Sequence, residues 1–167
     1  MREMDKDGLI LCDIQAKAFE LSHDYTNCSS PIFIRRYMKS EIVRMLDNRG
    51  ILQTTLYEKD LLERIEEEYG ISNYGQIKYE KDALYWIGYI YRYYCYTFNR
   101  TSRQAYKIIK PDELYKVYLP YHTLSPAQAI ERILESKNID INETELERQY
   151  KVLKRIYLED MEKHKHI

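Results

Sequence analysis

Asp82-Ala83-Leu84-Tyr85-Trp86-Ile87-Gly88-Tyr89-Ile90-Tyr91-Arg92-Tyr93-Tyr94-Cys95-Tyr96-Thr97-Phe98 is the stretch on which the fold turns. It holds the one Trp and six of the 18 Tyr of the 167-residue chain, with a single cation, Arg92, among the rings. Tyr89, Tyr91 and Tyr93 alternate as in a half-buried strand, and aromatics favour strands. The apolar run is nevertheless about fifteen residues long, where strands span about 4 to 8. Leu84, Ile87, Tyr91, Tyr94 and Phe98 recur in steps of three and four, with Trp86, Ile90 and Tyr93 as a second stripe beside them. A helix that is apolar around most of its circumference packs on several sides, so this is read as a central helix. Gly88 weakens it by roughly 1 kcal/mol relative to Ala, which a second helix crossing close to it explains.

Outward from the centre, the punctuation is helical throughout. Leu9, Ile10, Ile14, Ala18 and Leu21 place a first helix over Gly8–Leu21 with those residues on its inner side. Ser30-Pro31 opens a second, a capping hydroxyl followed by Pro at the first helical position. Ser40-Glu41 caps a short continuation through Met45 and Leu46. Thr55-Leu56-Tyr57-Glu58 fits a capping box for a helix over Leu56–Tyr69 that stops at Gly70. Ile71–Tyr79 reads as a connection. Beyond the centre, Thr101-Ser102-Arg103-Gln104 is another capping box, Pro111 starts a helix to Tyr118, and Leu119–Leu124 reads as an extended connector. Ser125-Pro126 opens a helix to Ser136, and Asn142 or Thr144 starts a last charged one, about 142–163, peripheral to the rest. Its stripe is Leu146, Tyr150, Leu153, Ile156 and Tyr157, and Lys163 and Lys165 suit the negative end of its dipole. The expected fold is all-α, one domain over 1–167, about six to eight helices around Asp82–Phe98.

Composition agrees with a folded helical protein. Hydrophobic residues are 44% and charged residues 32%, and five Gly with four Pro are too few for a turn-rich all-β fold. A net charge of −1 removes the usual electrostatic driver of nonspecific nucleic-acid binding. No apolar run is long enough to cross a bilayer, and Met1-Arg2-Glu3-Met4-Asp5-Lys6-Asp7 is too charged for a signal peptide, so a cytoplasmic protein is expected. Cys12, Cys28 and Cys95 are widely spaced, without a CxxC, and are read as free thiols.

Candidate sites are sparse. Tyr pairs a large ring with a hydroxyl that needs a partner when buried. Eight rings on one helix exceed what a domain this small hides, so Trp86, Tyr89, Arg92, Tyr93 and Tyr96, with Tyr121 and His122, are the candidate partner-binding surface. Core packing is the competing reading of those rings. Arg92 either has a structural role, stacking on Tyr rings or pairing with a buried carboxylate, or receives an acidic side chain or phosphate from a ligand. An enzyme or toxin acting on a nucleotide or nucleic acid would use Arg92 and His122 together. A DNA-binding regulator would use Arg35, Arg36 and Lys39 of the second helix. Neither Cys28 nor Cys95 stands in a nucleophile context, and no P-loop, GxGxxG, HExxH or Cys/His cluster occurs. His164 and His166 make at most a frayed metal site. No catalytic residue, metal or cofactor is assigned.

Two stretches carry a resemblance. Phe33-Ile34-Arg35-Arg36-Tyr37-Met38-Lys39-Ser40-Glu41-Ile42 leads to Leu46-Asp47, and Trp86-Ile87-Gly88-Tyr89-Ile90-Tyr91-Arg92-Tyr93 is followed by Tyr121-His122-Thr123-Leu124-Ser125-Pro126-Ala127-Gln128-Ala129-Ile130. Together they resemble a family of small bacterial helical proteins, common in gut Firmicutes, encoded beside genes resembling ADP-ribosyltransferase-type toxins. The match covers roughly residues 9 to 134. It implies a toxin–antitoxin-type locus and a toxin-like protein partner for an antitoxin or regulatory component. Independently of the resemblance, a homo-oligomer is also open. It transfers no catalytic residue. The chain departs from the family over Ile51–Tyr69, where Gln53-Thr54-Thr55-Leu56-Tyr57 replaces a Trp-containing stretch, so a partner touched there would differ.

Overall fold

The structure is a computed structural model and describes residues 1–141 and 145–164, the side chains of Glu145, Arg148 and His164 excepted. The caps expected at Asn142 or Thr144, and Lys165 and His166, lie outside the described residues. Among those described, every regular element is helical: α1 (Lys6–Tyr25), α2 (Ser30–Lys39), α3 (Arg44–Asp47), a 3₁₀ turn (Gly50–Gln53), α4 (Glu58–Tyr69), α5 (Lys81–Thr97), α6 (Ser102–Ile108), α7 (Pro111–Tyr121), α8 (Pro126–Ser136) and α9 (Glu145–His164). The all-α expectation holds. Residues 1–130 form one compact unit and 131–167 a second.

Within the first unit α5 is the central helix, and its largest interface is with α1. The two run antiparallel: Tyr96 near the end of α5 donates to Asp5 at the start of α1, and Lys81 at the start of α5 pairs with Asp24 near the end of α1. Gly88 is the point of closest approach. A Cβ there would lie 2.9 Å from Phe19 Cγ and 3.0 Å from both Ala16 Cα and Gln15 O. Two of those contacts are backbone, so nothing can move aside cheaply.

The buried side of α1 differs from the expected one. Leu9 and Ile10 are exposed, whereas Leu11, Cys12, Gln15, Ala16, Ala18, Phe19 and Ser22 are buried. The face is rotated because two polar residues belong to it: Gln15 Nε2 donates to Gly88 O at 3.0 Å, and Ser22 Oγ donates to Phe19 O at 2.5 Å. Each satisfies a group that burial would otherwise leave unpaired. Phe19, Phe33 and Tyr37 meet in an aromatic cluster with centroids 4.8–5.8 Å apart, largely edge-on. Leu61, Leu62 and Ile65 of α4 complete that layer.

Several helix starts differ by a residue or two from expectation. Ser29, not Ser30, caps α2, its Oγ accepting from Ile32 N. At α4 it is Asp60 that accepts from Tyr57 N at 2.7 Å, so the helix begins after Tyr57. Thr101 and Gln104 do form the expected reciprocal box, at 3.2 and 2.9 Å. α7 runs through Leu119 and Pro120 to Tyr121 instead of ending at Tyr118. Pro120 falls in its last turn, where a missing N–H removes one bond without a following turn to disrupt.

Gly70 to Glu80 is more than a connection. Ser29 N donates to Tyr74 O at 3.0 Å, Ser30 N to Ile77 O at 2.8 Å, and Tyr79 N to Ser30 Oγ at 2.9 Å. Lys78 Nζ caps the end of α1 through Thr26 O at 2.6 Å. The segment is thus an extended strap pinned across the start of α2. Gly75, at φ +78°, sits so close that a Cβ would be 2.6 Å from Ser29 Oγ. Cys12, Cys28 and Cys95 are buried free thiols.

In the second unit α9 turns its stripe to solvent. Leu146, Tyr150, Leu153, Ile156 and Tyr157 are all more than half exposed. Among the described residues no helix is long and apolar enough to cross a membrane.

Candidate functional site

Arg92 is the most consequential residue of α5, and it is closed to ligands. It is 1% exposed. Its Nε and Nη2 donate to Gln15 Oε1 at 3.0 and 2.8 Å, Nη1 to Asp47 Oδ1 at 2.8 Å, and Nη2 also to Ser102 Oγ at 2.8 Å. Asp47 in turn accepts from Ser102 Oγ at 2.7 Å and from Ser102 N at 3.0 Å, capping α6. One guanidinium therefore ties α1, α3, α5 and α6 together. Of the two readings of Arg92, the buried carboxylate partner is the one found. Its place in a partner-binding surface is corrected accordingly.

His122 stands apart from it. The ring is exposed at the end of α7, with Nδ1 donating to Leu119 O at 2.8 Å and to Tyr118 O at 3.2 Å. Arg92 and His122 share no hydrogen-bond partner, so the structure does not join them into one catalytic site. Tyr96, 7% exposed, is likewise drawn inward by its bond to Asp5. That bond, with the Gly8 N–H, holds the Asp5 carboxyl down at about 2.

Of the remaining candidates, Tyr89 and Tyr93 belong to a row of rings on α5, and Trp86 and His122 to a cluster with α7. Tyr85, Tyr89 and Tyr93 lie at i, i+4 and i+8 of α5, stacked with centroids 6.5 Å apart, all half-buried. Tyr85 Oη donates to Asp13 at 3.2 Å, and exposed Leu9 lies one turn before Asp13 on that edge of α1. Partial burial pushes the Tyr89 hydroxyl up to about 12. On the adjacent face Trp86 packs on Tyr118 at 5.7 Å and Tyr118 on His122 at 5.1 Å; Leu119, next to Tyr118 in sequence, is exposed and Tyr121 is half-buried. Tyr85 and Tyr118 were not singled out from sequence. Tyr85 was legible as the i−4 neighbour of Tyr89, but Tyr118 meets Trp86 only through tertiary packing.

Arg35, Arg36 and Lys39 lie on the solvent side of α2. Arg36 Nη1 donates to Gly70 O at 2.8 Å, and its guanidinium sits 5.6 Å from the Tyr69 ring. Lys39 lies 5.4 Å from the Tyr106 ring and Lys110 4.4 Å from the same ring. With Ile32, Tyr69, Ser72 and Tyr74 the three cations line a cleft of about 360 Å³. Ser72 and Tyr74 come from the strap, whose docking no local pattern announces. Among the described residues no group of three or more His, Cys, Asp or Glu comes together as a metal site, and the His164 side chain and His166 lie outside them.

Comparison with family models, with curated proteins and with solved structures returns no match to this chain.

Proposed function

We propose that this chain is a cytoplasmic, non-enzymatic protein-binding module, the antitoxin or regulatory component of a toxin–antitoxin-type system, whose docking face is the aromatic side of α5. The observation that carries the reading is the ladder Tyr85, Tyr89 and Tyr93, with the Trp86–Tyr118 pair and the exposed Leu119 on the adjacent face. Half-exposed Tyr and Trp on a rigid helix supply large contact area at small entropic cost, as interface hot spots do. Gly88 and the Arg92 network keep that helix fixed against α1, so the face is preorganised. The toxin-like partner itself comes from the sequence resemblance alone.

Co-expression with the product of the flanking gene tests it. Expected is a complex that survives size exclusion in both tag orientations, and that Tyr89→Ala with Trp86→Ala weakens about a hundredfold or more while the melting curve of the free chain is little changed. A flanking product that never associates, or a complex indifferent to both variants, overturns the reading.

A further inference from the structure

The cleft between α2 and the strap is a second, separate site. Its lining contains three cations, Arg35, Arg36 and Lys39, and no carboxylate. That is a local excess in a chain whose net charge is −1. The acids nearest in sequence are already engaged: Glu41 pairs with Arg44 at 2.7 Å and Arg103 at 3.1 Å, and Glu68 accepts from Glu41 N at 2.9 Å. Neither Arg35 nor Lys39 has a carboxylate partner among the described residues. Arg36 is held in advance by Gly70 O and the Tyr69 ring. An anion entering here gains charge-assisted bonds without having to order that guanidinium.

The other wall narrows the ligand class. Ile32, Tyr69 and Tyr74 are apolar surface that inorganic phosphate alone would leave unused, and the Tyr74 ring is 73% exposed, free to stack. A cavity of about 360 Å³ is at the small end of ligand sites, of order 300–1,000 Å³. We propose that this cleft binds a nucleoside phosphate, the phosphate on Arg35, Arg36 and Lys39 and the base against Tyr74. The site is independent of the aromatic face of α5, and loss of either leaves the other standing.

Isothermal titration of the full chain with ADP in low salt tests it, with inorganic phosphate, phosphotyrosine and a 5′-phosphorylated oligothymidylate in parallel. Expected is saturable one-site binding of ADP that weakens about tenfold in Arg35→Ala and again in Lys39→Ala, and weakens as salt rises. Tyr74→Ala is expected to weaken ADP but not inorganic phosphate. All three positions are exposed, and Arg35→Gln and Lys39→Gln serve where an alanine variant lowers the melting temperature. The oligothymidylate competing with ADP and losing affinity in the same variants also supports the site, with a strand end as the source of the nucleotide. No saturable heat at millimolar ADP, binding indifferent to Arg35 and Lys39, or phosphotyrosine binding tighter than ADP overturns the proposal.

Discussion

At the scale of single residues, two side chains in the core make opposite demands. Arg92 brings a permanent charge into the interior and is tolerated because Asp47, Gln15 and Ser102 meet its nitrogens. Arg92→Met is expected to cost about 3–5 kcal/mol by chemical denaturation, since Asp47 and Gln15 are then left facing an apolar group. Arg92→Lys is expected to recover little, because an ammonium cannot reproduce the fork. Tyr37 is the contrary case: its hydroxyl is buried without a hydrogen-bond partner among the described residues. Tyr37→Phe is therefore expected to be neutral or stabilising by up to about 1 kcal/mol; a clear loss would mean that the hydroxyl is bonded after all. Asp5 supplies the pH dependence. Its folded pKa lies below the unfolded value, so its contribution is complete above the unfolded pKa of about 4 and is lost as pH falls through about 2. Asp5→Asn is expected to lower the melting temperature at neutral pH and to flatten its decline over that acidic window. That Arg92 would find a carboxylate was one of two readings open from sequence. Which carboxylate was not legible, since Asp47 lies 45 residues away and Gln15 lies 77.

At the scale of elements, hydrophobic spacing located α5 to within a residue at each end, and Gly88 gave away the crossing before any partner was known. Gly88→Ala tests that contact. Helix propensity alone would favour Ala by roughly 1 kcal/mol, yet a methyl 3.0 Å from Ala16 Cα and Gln15 O must separate the two helices. The expected net effect is destabilising by about 1–3 kcal/mol. Spacing misplaced the face of α1 because it counts only apolar residues, Leu9 and Ile10 among them, whereas hydrogen bonds to α5 and to its own backbone allow Gln15 and Ser22 inside. The strap was invisible for a related reason: two of its anchors are backbone amides of Ser29 and Ser30, which carry no side-chain signature, and the others, Ser30 Oγ and Lys78 Nζ, act at positions no local spacing marks. α9 marks the limit of spacing as a guide, since its regular stripe is real but more than half exposed. A helix that buries so little of its apolar stripe is marginal in water, so its amides are expected to exchange with deuterium orders of magnitude faster than those of α5.

At the scale of the molecule, the two faces differ in polarity. One is aromatic and uncharged, on α5 and α7; the other is basic, on α2 and the strap. Chemistry was legible only as a set of absences, and the partner rests on resemblance, because recognition by surface rings leaves no fixed spacing in a sequence. The buried cysteines have a use here. Burial pushes the Cys12 and Cys95 thiols up to about 12, against the pull of Arg92, so almost no thiolate forms at neutral pH and no reagent reaches them. Both flank the α1–α5 seam, one on each helix. Alkylation there proceeds only when the seam parts, which makes the labelling rate a stopwatch for how often the centre of the protein comes open.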